Sequence, residues 1–196
     1  MMKLLLIITT IFLWGFTISQ PKTVDDFKLK NTDGQWVSLN NYPDAKGFII
    51  VFTCNHCPFA KQYPQRLNAL SNKYKALGIP LLAISSTDTL MYAEDTYDKM
   101  IEIAKQNHFD FPYLQDNTQS VGKKFGAQKT PHAFVIWKEN TLWKIKYSGA
   151  IDDNGGEPNN VIHDYVSEAV NSLLDGKKVA ITETKSIGCQ IHYRNQ

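Results

Sequence analysis

The run Gly47-Phe48-Ile49-Ile50-Val51-Phe52 contains no polar side chain. A strand with one wet face alternates apolar and polar residues, whereas an unbroken aromatic and β-branched run fits a strand covered on both faces. Such a strand needs a layer above it and a layer below it, and helices supply them. Ile79 to Ile84 is a second run of this kind. The chain is therefore constrained to an α/β sheet with helices on both faces.

The remaining segments fit that frame. Phe27-Lys28-Leu29 and Trp36-Val37-Ser38-Leu39 alternate around Asp33-Gly34 and read as an N-terminal β-hairpin. Phe59, Tyr63, Leu67, Leu70, Tyr74 and Leu77 fall on one helical face, with Gly78 as a stop and Pro64 expected to kink the helix. Helices are also expected from about Glu94 to Asn107, from about Thr118 to Phe125, and from near Pro158 to Gly176. His132 to Trp137 and Leu142 to Tyr147 read as strands turned at Glu139-Asn140. In the tail, Ile187, Cys189, Ile191 and Tyr193 alternate, which allows a strand returning to the domain.

Composition narrows the class. The chain has 196 residues, of which 43% are hydrophobic and 20% charged, the profile of a globular domain. Its net charge is +2, and its arginines are Arg66 and Arg194 alone, so nothing in it resembles a nucleic-acid surface. Met1-Met2-Lys3 followed by the apolar stretch Leu4 to Ile18 has the layout of a secretory signal peptide, with Thr17 and Ser19 suited to a cleavage site. The expected organisation is a leader over residues 1–19 and a domain over 20–196. An uncleaved anchor is the alternative, and either one implies export to the periplasm or outside the cell. Contact with a membrane would then be through the leader alone.

Three cysteines remain: Cys54, Cys57 and Cys189. Cys54-Asn55-His56-Cys57 begins two residues after a central strand, at the start of the expected helix. Spacing of three lets both sulfurs meet, and free N–H groups at a helix start favour a thiolate. The pair is expected to cycle between dithiol and disulfide, Cys54 attacking and Cys57 resolving. His56 is expected to tune the pair by lowering the Cys54 pKa, which would make it more oxidising. Cys189 is open to two readings, a buried small residue, favoured by its apolar neighbours, or a third thiol reaching the site.

Phe52-Thr53-Cys54-Asn55-His56-Cys57-Pro58, with Asp26-Phe27-x-Leu29 and Asp33-Gly34-x-x-Val37-Ser38-Leu39 before it, resembles the redoxin (AhpC/TSA-like) branch of the thioredoxin-like superfamily. The resemblance continues through Lys129-Thr130-Pro131-His132 and Tyr147 to Asp153, and covers roughly residues 22 to 175. It implies a thioredoxin-like fold with a cis-proline at Pro131, and a docking groove bordered by Thr130 and Pro131. It implies partners that are protein thiols or disulfides together with a redox partner protein. The disulfide itself carries the electrons, so no cofactor is expected. The carboxylate that such proteins often place beside the motif is missing locally, because no acid follows the strand until Asp88. Proton transfer is left to His56, Lys129, a sequence-distant acid or water.

Two rival chemistries stay open. A peroxidase would use Cys57 as the peroxide-attacking thiol, and Cys57-Pro58 fits that pattern. Cys54 stands where that pattern has Thr, and Ile50 where it has Pro. Arg66, the nearby arginine, is expected on a solvated face. A metal site would need partners for the CxxC: no second close pair exists for zinc, and His132 is the candidate third ligand for copper. The expected metal complement is none. Asp152-Asp153-Asn154-Gly155-Gly156 reads as a turn, since it lacks the ligand series of a calcium loop.

Overall fold

The computed structural model describes residues 22–194, so the leader expected over 1–19 lies outside the described residues. The elements run β1 (Thr23–Val24), β2 (Lys28–Asn31), β3 (Trp36–Ser38), β4 (Gly47–Phe52), α1 (Pro64–Tyr74), β5 (Leu81–Ser85), α2 (Tyr97–Gln106), β6 (Tyr113–Gln115), α3 (Ser120–Phe125), β7 (Lys129–Thr130), β8 (His132–Glu139), β9 (Leu142–Gly149), α4 (Tyr165–Leu174) and β10 (Cys189–Gln190). Eight strands form one mixed sheet in the order β1-β9-β8-β4-β5-β6-β2-β3, and β10 pairs with β7 in a small second sheet.

The apolar run takes the central place its composition demands. All six residues of β4 are buried, paired in parallel with β5 and antiparallel with β8. Side chains alternate across a strand, so β4 feeds two cores. Ile49 and Val51 pack with Leu67, Leu70 and Tyr74 of α1, Met100 of α2, and Val166, Ala169 and Val170 of α4. Phe48, Ile50 and Phe52 pack with Leu29, Trp143, and Val121 and Phe125 of α3. Helices thus cover both faces, and the N-terminal hairpin is β2 paired with β3.

Two helix boundaries differ from the sequence expectation for local reasons. Pro64 does not kink a helix begun at Phe59 but opens α1 as its first residue, after a 3-10 turn at Ala60–Gln62. Proline has no N–H to give and its ring clashes with the preceding turn, so the first helical position is where it costs least. Pro158 likewise opens only a 3-10 turn. α4 begins at Tyr165, where the Asp164 side chain accepts the Ser167 N–H at 3.1 Å.

The tail does return as a strand. Cys189 stands opposite Thr130 and Gln190 opposite Lys129 in the β10–β7 pairing, and Ile191 donates its N–H to Gln128 at 2.9 Å. Gly188 is required there, because a Cβ at that position would lie 2.1 Å from the Thr130 carbonyl oxygen. Among the described residues, no helix is long and apolar enough to cross a membrane.

Candidate active site

The cysteine motif leaves β4 under tension between two demands. Thr53 still pairs with the sheet, donating its N–H to Ile84 at 2.9 Å, while the next residues must turn away. The turn is held from a distant segment, the loop between β5 and α2. Asp95, 1% exposed, accepts the N–H of Asn55 at 2.6 Å and that of His56 at 3.2 Å. Asn55 donates its side-chain amide to the Glu94 carbonyl at 2.7 Å and accepts the Tyr113 hydroxyl at 3.0 Å. Burial pushes the Tyr113 phenol well above its ordinary pKa, which keeps it a donor. Asp95 is the sequence-distant acid, 38 residues beyond the second cysteine.

His56 packs face to face on Tyr92, ring centroids 3.8 Å apart and 4° from parallel. Its Nδ1 lies 2.5 Å from an Asp95 carboxylate oxygen, while its Nε2 is buried and has no hydrogen-bond partner. With the carboxylate as acceptor, the ring proton sits on Nδ1. His56 is thus tied to Asp95 and makes no hydrogen bond to either sulfur among the described contacts.

All three cysteines are free thiols, and they converge. Cys54 is 5% exposed and Cys57 is fully enclosed. Cys54 Sγ lies 3.0 Å from Thr130 Oγ1, and Cys57 Sγ lies 3.1 Å from the Thr130 carbonyl oxygen. The Thr130–Pro131 peptide bond is cis, as the resemblance implies. Cys189 is not the buried packing residue its apolar neighbours argued for. It is half-buried against Cys57, and its N–H points at Cys57 Sγ from 3.3 Å. The β10–β7 pairing, which the sequence permitted but could not position, brings it there.

The two motif thiols share one charge. The neighbouring Cys54 thiol is the largest influence on Cys57. With help from Cys189 and from the backbone N–H groups of Ala60 and Cys189, it lowers the Cys57 pKa to about 4. The same sharing, then burial, then the negative charge of Asp95 push Cys54 upward, against a smaller opposing contribution from Thr130. The acidified sulfur is thus Cys57, whereas the sequence pointed to Cys54. Asp95, invisible to local sequence reading, is one physical reason.

Other candidates fall into place around this centre. His132 spends both ring nitrogens on structure, accepting the Gln128 N–H at 3.2 Å and pairing with Ser148 Oγ at 3.1 Å. It does not serve as the third metal ligand. The atoms that could hold a soft cation are instead Cys54 Sγ, a His56 nitrogen and an Asp95 oxygen, all within 4.8 Å of one another. A cation would compete there with the donors Asp95 already binds. Arg66 is not on a solvated face. It donates to Asp152 at 2.7 Å and to the Asn154 carbonyl at 2.9 Å, also reaches the Gly155 carbonyl, and packs 3.9 Å from the Tyr63 ring. That anchoring explains the turn at Asp152–Gly156. Half-buried Lys129 is next to Thr130 in β7 and bears on Cys189 electrostatically.

The model of the AhpC/TSA family matches residues 21–145. The chain therefore belongs to the AhpC/TSA family, and its fold is thioredoxin-like. An uncharacterized conserved protein from Geobacillus kaustophilus is 34% identical, with 92% of this chain and 95% of that one covered, at a TM-score of 0.80. A hypothetical protein from Sinorhizobium meliloti 1021 is 30% identical, with 92% and 97% covered, at a TM-score of 0.82. At 20% identity or below, thiol:disulfide interchange proteins and a peroxidoxin share the fold. Among the curated proteins, none matches this sequence.

Proposed function

From membership in that redox family, we propose that this chain is an exported thiol–disulfide oxidoreductase working through a reversible Cys54–Cys57 disulfide. The observation that carries the reading is the nesting of the two sulfurs against Thr130 and the cis Pro131, with Cys54 outermost. In the reducing direction, the proton on Cys54 passes to the Cys57 thiolate, and the Cys54 thiolate attacks one sulfur of a substrate disulfide. The other substrate sulfur leaves as thiolate. Cys57 then attacks the Cys54 sulfur of the mixed disulfide and expels the second substrate thiol. Two electrons pass from the dithiol to the substrate, and the reverse sequence oxidises a substrate dithiol.

Substrates are protein thiols or disulfides presented as an extended segment beside Thr130 and Pro131. A cavity of about 250 Å³ opens next to Pro131, lined by Phe59, Tyr63, Ile151 and Ile187 among others, and offers an apolar seat for a substrate side chain. A redox partner protein resets the pair. The apolar N-terminal stretch directs the domain out of the cytoplasm.

One observation favours a second reading. The lowered Cys57 pKa suits a peroxide-attacking thiolate. Against it stand the full enclosure of Cys57 and the engagement of Arg66 with the Asp152 loop.

Stopped-flow mixing separates the two. Given a disulfide-bonded peptide, Cys57→Ser is expected to accumulate a mixed disulfide on Cys54, and Cys54→Ser none. Reduced wild-type protein is expected to consume hydrogen peroxide no faster than free cysteine. Peroxide consumption orders of magnitude faster, abolished in Cys57→Ser, would replace the exchange reading with the peroxidase one.

A further inference from the structure

We propose that Cys57 is the shared centre of a three-thiol relay, forming a second intramolecular disulfide with Cys189 in exchange for the one with Cys54. The proposal rests on the thiol–disulfide reading above and adds a second oxidised state to it.

The placement is specific. Cys57 Sγ accepts the Cys189 N–H at 3.3 Å and packs in one small cluster with Cys54, Ala60 and Cys189. The Cys54 sulfur has Thr130 Oγ1 as its partner instead, at 3.0 Å. Cys189 belongs to the second layer of the site by construction. β10 pairs with β7 at Thr130, the residue that also contacts both motif sulfurs. Gly188 lets the two strands close to a distance no side chain would allow. Residues beyond it tie the tail down. Gln119 bridges the His192 carbonyl at 2.8 Å and the Arg194 N–H at 2.7 Å, and Tyr193 donates to the Ala127 carbonyl at 2.7 Å. Cys189 is thus a fixed neighbour of Cys57 rather than a passing one.

The step balances without an added oxidant. In the Cys54–Cys57 disulfide state, Cys189 loses its proton and its sulfur attacks Cys57 Sγ. The Cys57–Cys189 bond forms, the Cys54–Cys57 bond breaks, and Cys54 leaves as thiolate and takes up the proton. The chain holds the same two oxidising equivalents before and after. The reduced site discourages the step and the oxidised site permits it. With Cys57 charged, burial and the Cys57 sulfur together raise the Cys189 pKa to about 11. Once Cys57 is in a disulfide, its contribution is gone, leaving burial and the charge of Asp95 opposed by Lys129. The product differs from the starting disulfide in one functional respect: Cys54, the more exposed of the two motif thiols, is free again while the protein remains oxidised.

The test is a disulfide map of the full domain equilibrated with oxidised glutathione, quenched in acid, alkylated and digested without reduction. Wild-type protein is expected to yield both the Cys54–Cys57 disulfide and a cross-linked pair of peptides joined through Cys57 and Cys189, with a matching fraction of alkylated Cys54. Oxidised Cys189→Ser is expected to lose that alkylated Cys54. Cys54→Ser is expected to lose both remaining thiols while staying monomeric. A wild-type map showing the Cys54–Cys57 disulfide and no cross-linked pair overturns the relay and leaves the exchange reading standing. Failure of Cys189→Ser to form the Cys54–Cys57 disulfide overturns the exchange reading itself.

Discussion

Replacing Asp95 by Asn isolates one carboxylate charge that disfavours a thiolate on Cys54. The substitution keeps the shape of the side chain and removes a negative charge within 4.8 Å of Cys54 Sγ. At an effective dielectric constant of about 20, two unit charges at that distance interact by about 3.5 kcal/mol. A thiolate on Cys54 is disfavoured by that amount and one on Cys57, shielded by Cys189 and backbone N–H groups, by less. Converted at a factor of ten per 1.4 kcal/mol, the population carrying the charge on Cys54 rises by up to about 300-fold. Delocalisation of the carboxylate charge reduces this, and a rise of at least about tenfold is expected. The assay is the rate of iodoacetamide alkylation near neutral pH, resolved by residue, on protein whose circular dichroism shows it folded. Cys54 should accelerate most, Cys189, which also feels Asp95, by less, and Cys57 not at all. The variant should also lose about 2–4 kcal/mol of stability, because His56 Nδ1 and two backbone N–H groups lose a charged acceptor. Unchanged or slower Cys54 alkylation in a folded variant refutes the assignment of Asp95. Parallel acceleration at all three cysteines refutes it too, since that reports loosening rather than charge.

Acid should destabilise the protein through His132. Burial lowers its pKa to about 4, so between pH 6.5 and pH 4 the unfolded chain binds a proton that the folded chain refuses. The His132 contribution is therefore full above pH 6.5 and falls by about 3 kcal/mol on descending to pH 4, so denaturant titrations of His132→Gln should show a shallower slope, with the part due to Cys57 remaining. Arg66→Met should cost about 3 kcal/mol by stranding Asp152, yet leave the rate of disulfide exchange within about twofold; a collapse of activity in a folded variant would place Arg66 in the chemistry. Gly188→Ala should push β10 off β7, lowering stability by about 1–3 kcal/mol and abolishing the Cys57–Cys189 cross-link in the disulfide map; an undiminished cross-link would refute the close-approach argument.

The scaffold was readable because its strongest signals are local. An all-apolar run such as Gly47–Phe52 can satisfy itself in few ways, and the cis-proline came with the Thr130-Pro131 context. Helix starts were read too early at Phe59 and Pro158, since apolar periodicity continues through a 3-10 turn and only the proline ring decides where α-geometry begins. At the site, Cys54, His56, Cys57, Thr130 and Pro131 were all visible by motif, and the structure gathers them. Asp95 was not, because its role depends on a loop whose path periodicity says nothing about; the local shortage of acids was the signal that one must arrive from elsewhere. Cys189 was misjudged for a related reason. Alternation of Ile187, Cys189 and Ile191 marks a strand, but which side faces the thiols depends on the partner strand. In the event Ile187 is 63% exposed.

The anchoring of the tail also sets an order of events in time. Cys57 and Cys189 are 132 residues apart in the chain, so the strand that joins them is synthesised well after the motif. Chains emerge N-terminus first, so Cys54 and Cys57 are available for oxidation long before their third neighbour. A nascent chain can close only the short loop between the first two. A proteolytic nick just before Gly188, or a bulky C-terminal fusion that frays β10, would hold the mature protein in that immature state indefinitely, with one oxidised form where the intact chain has two.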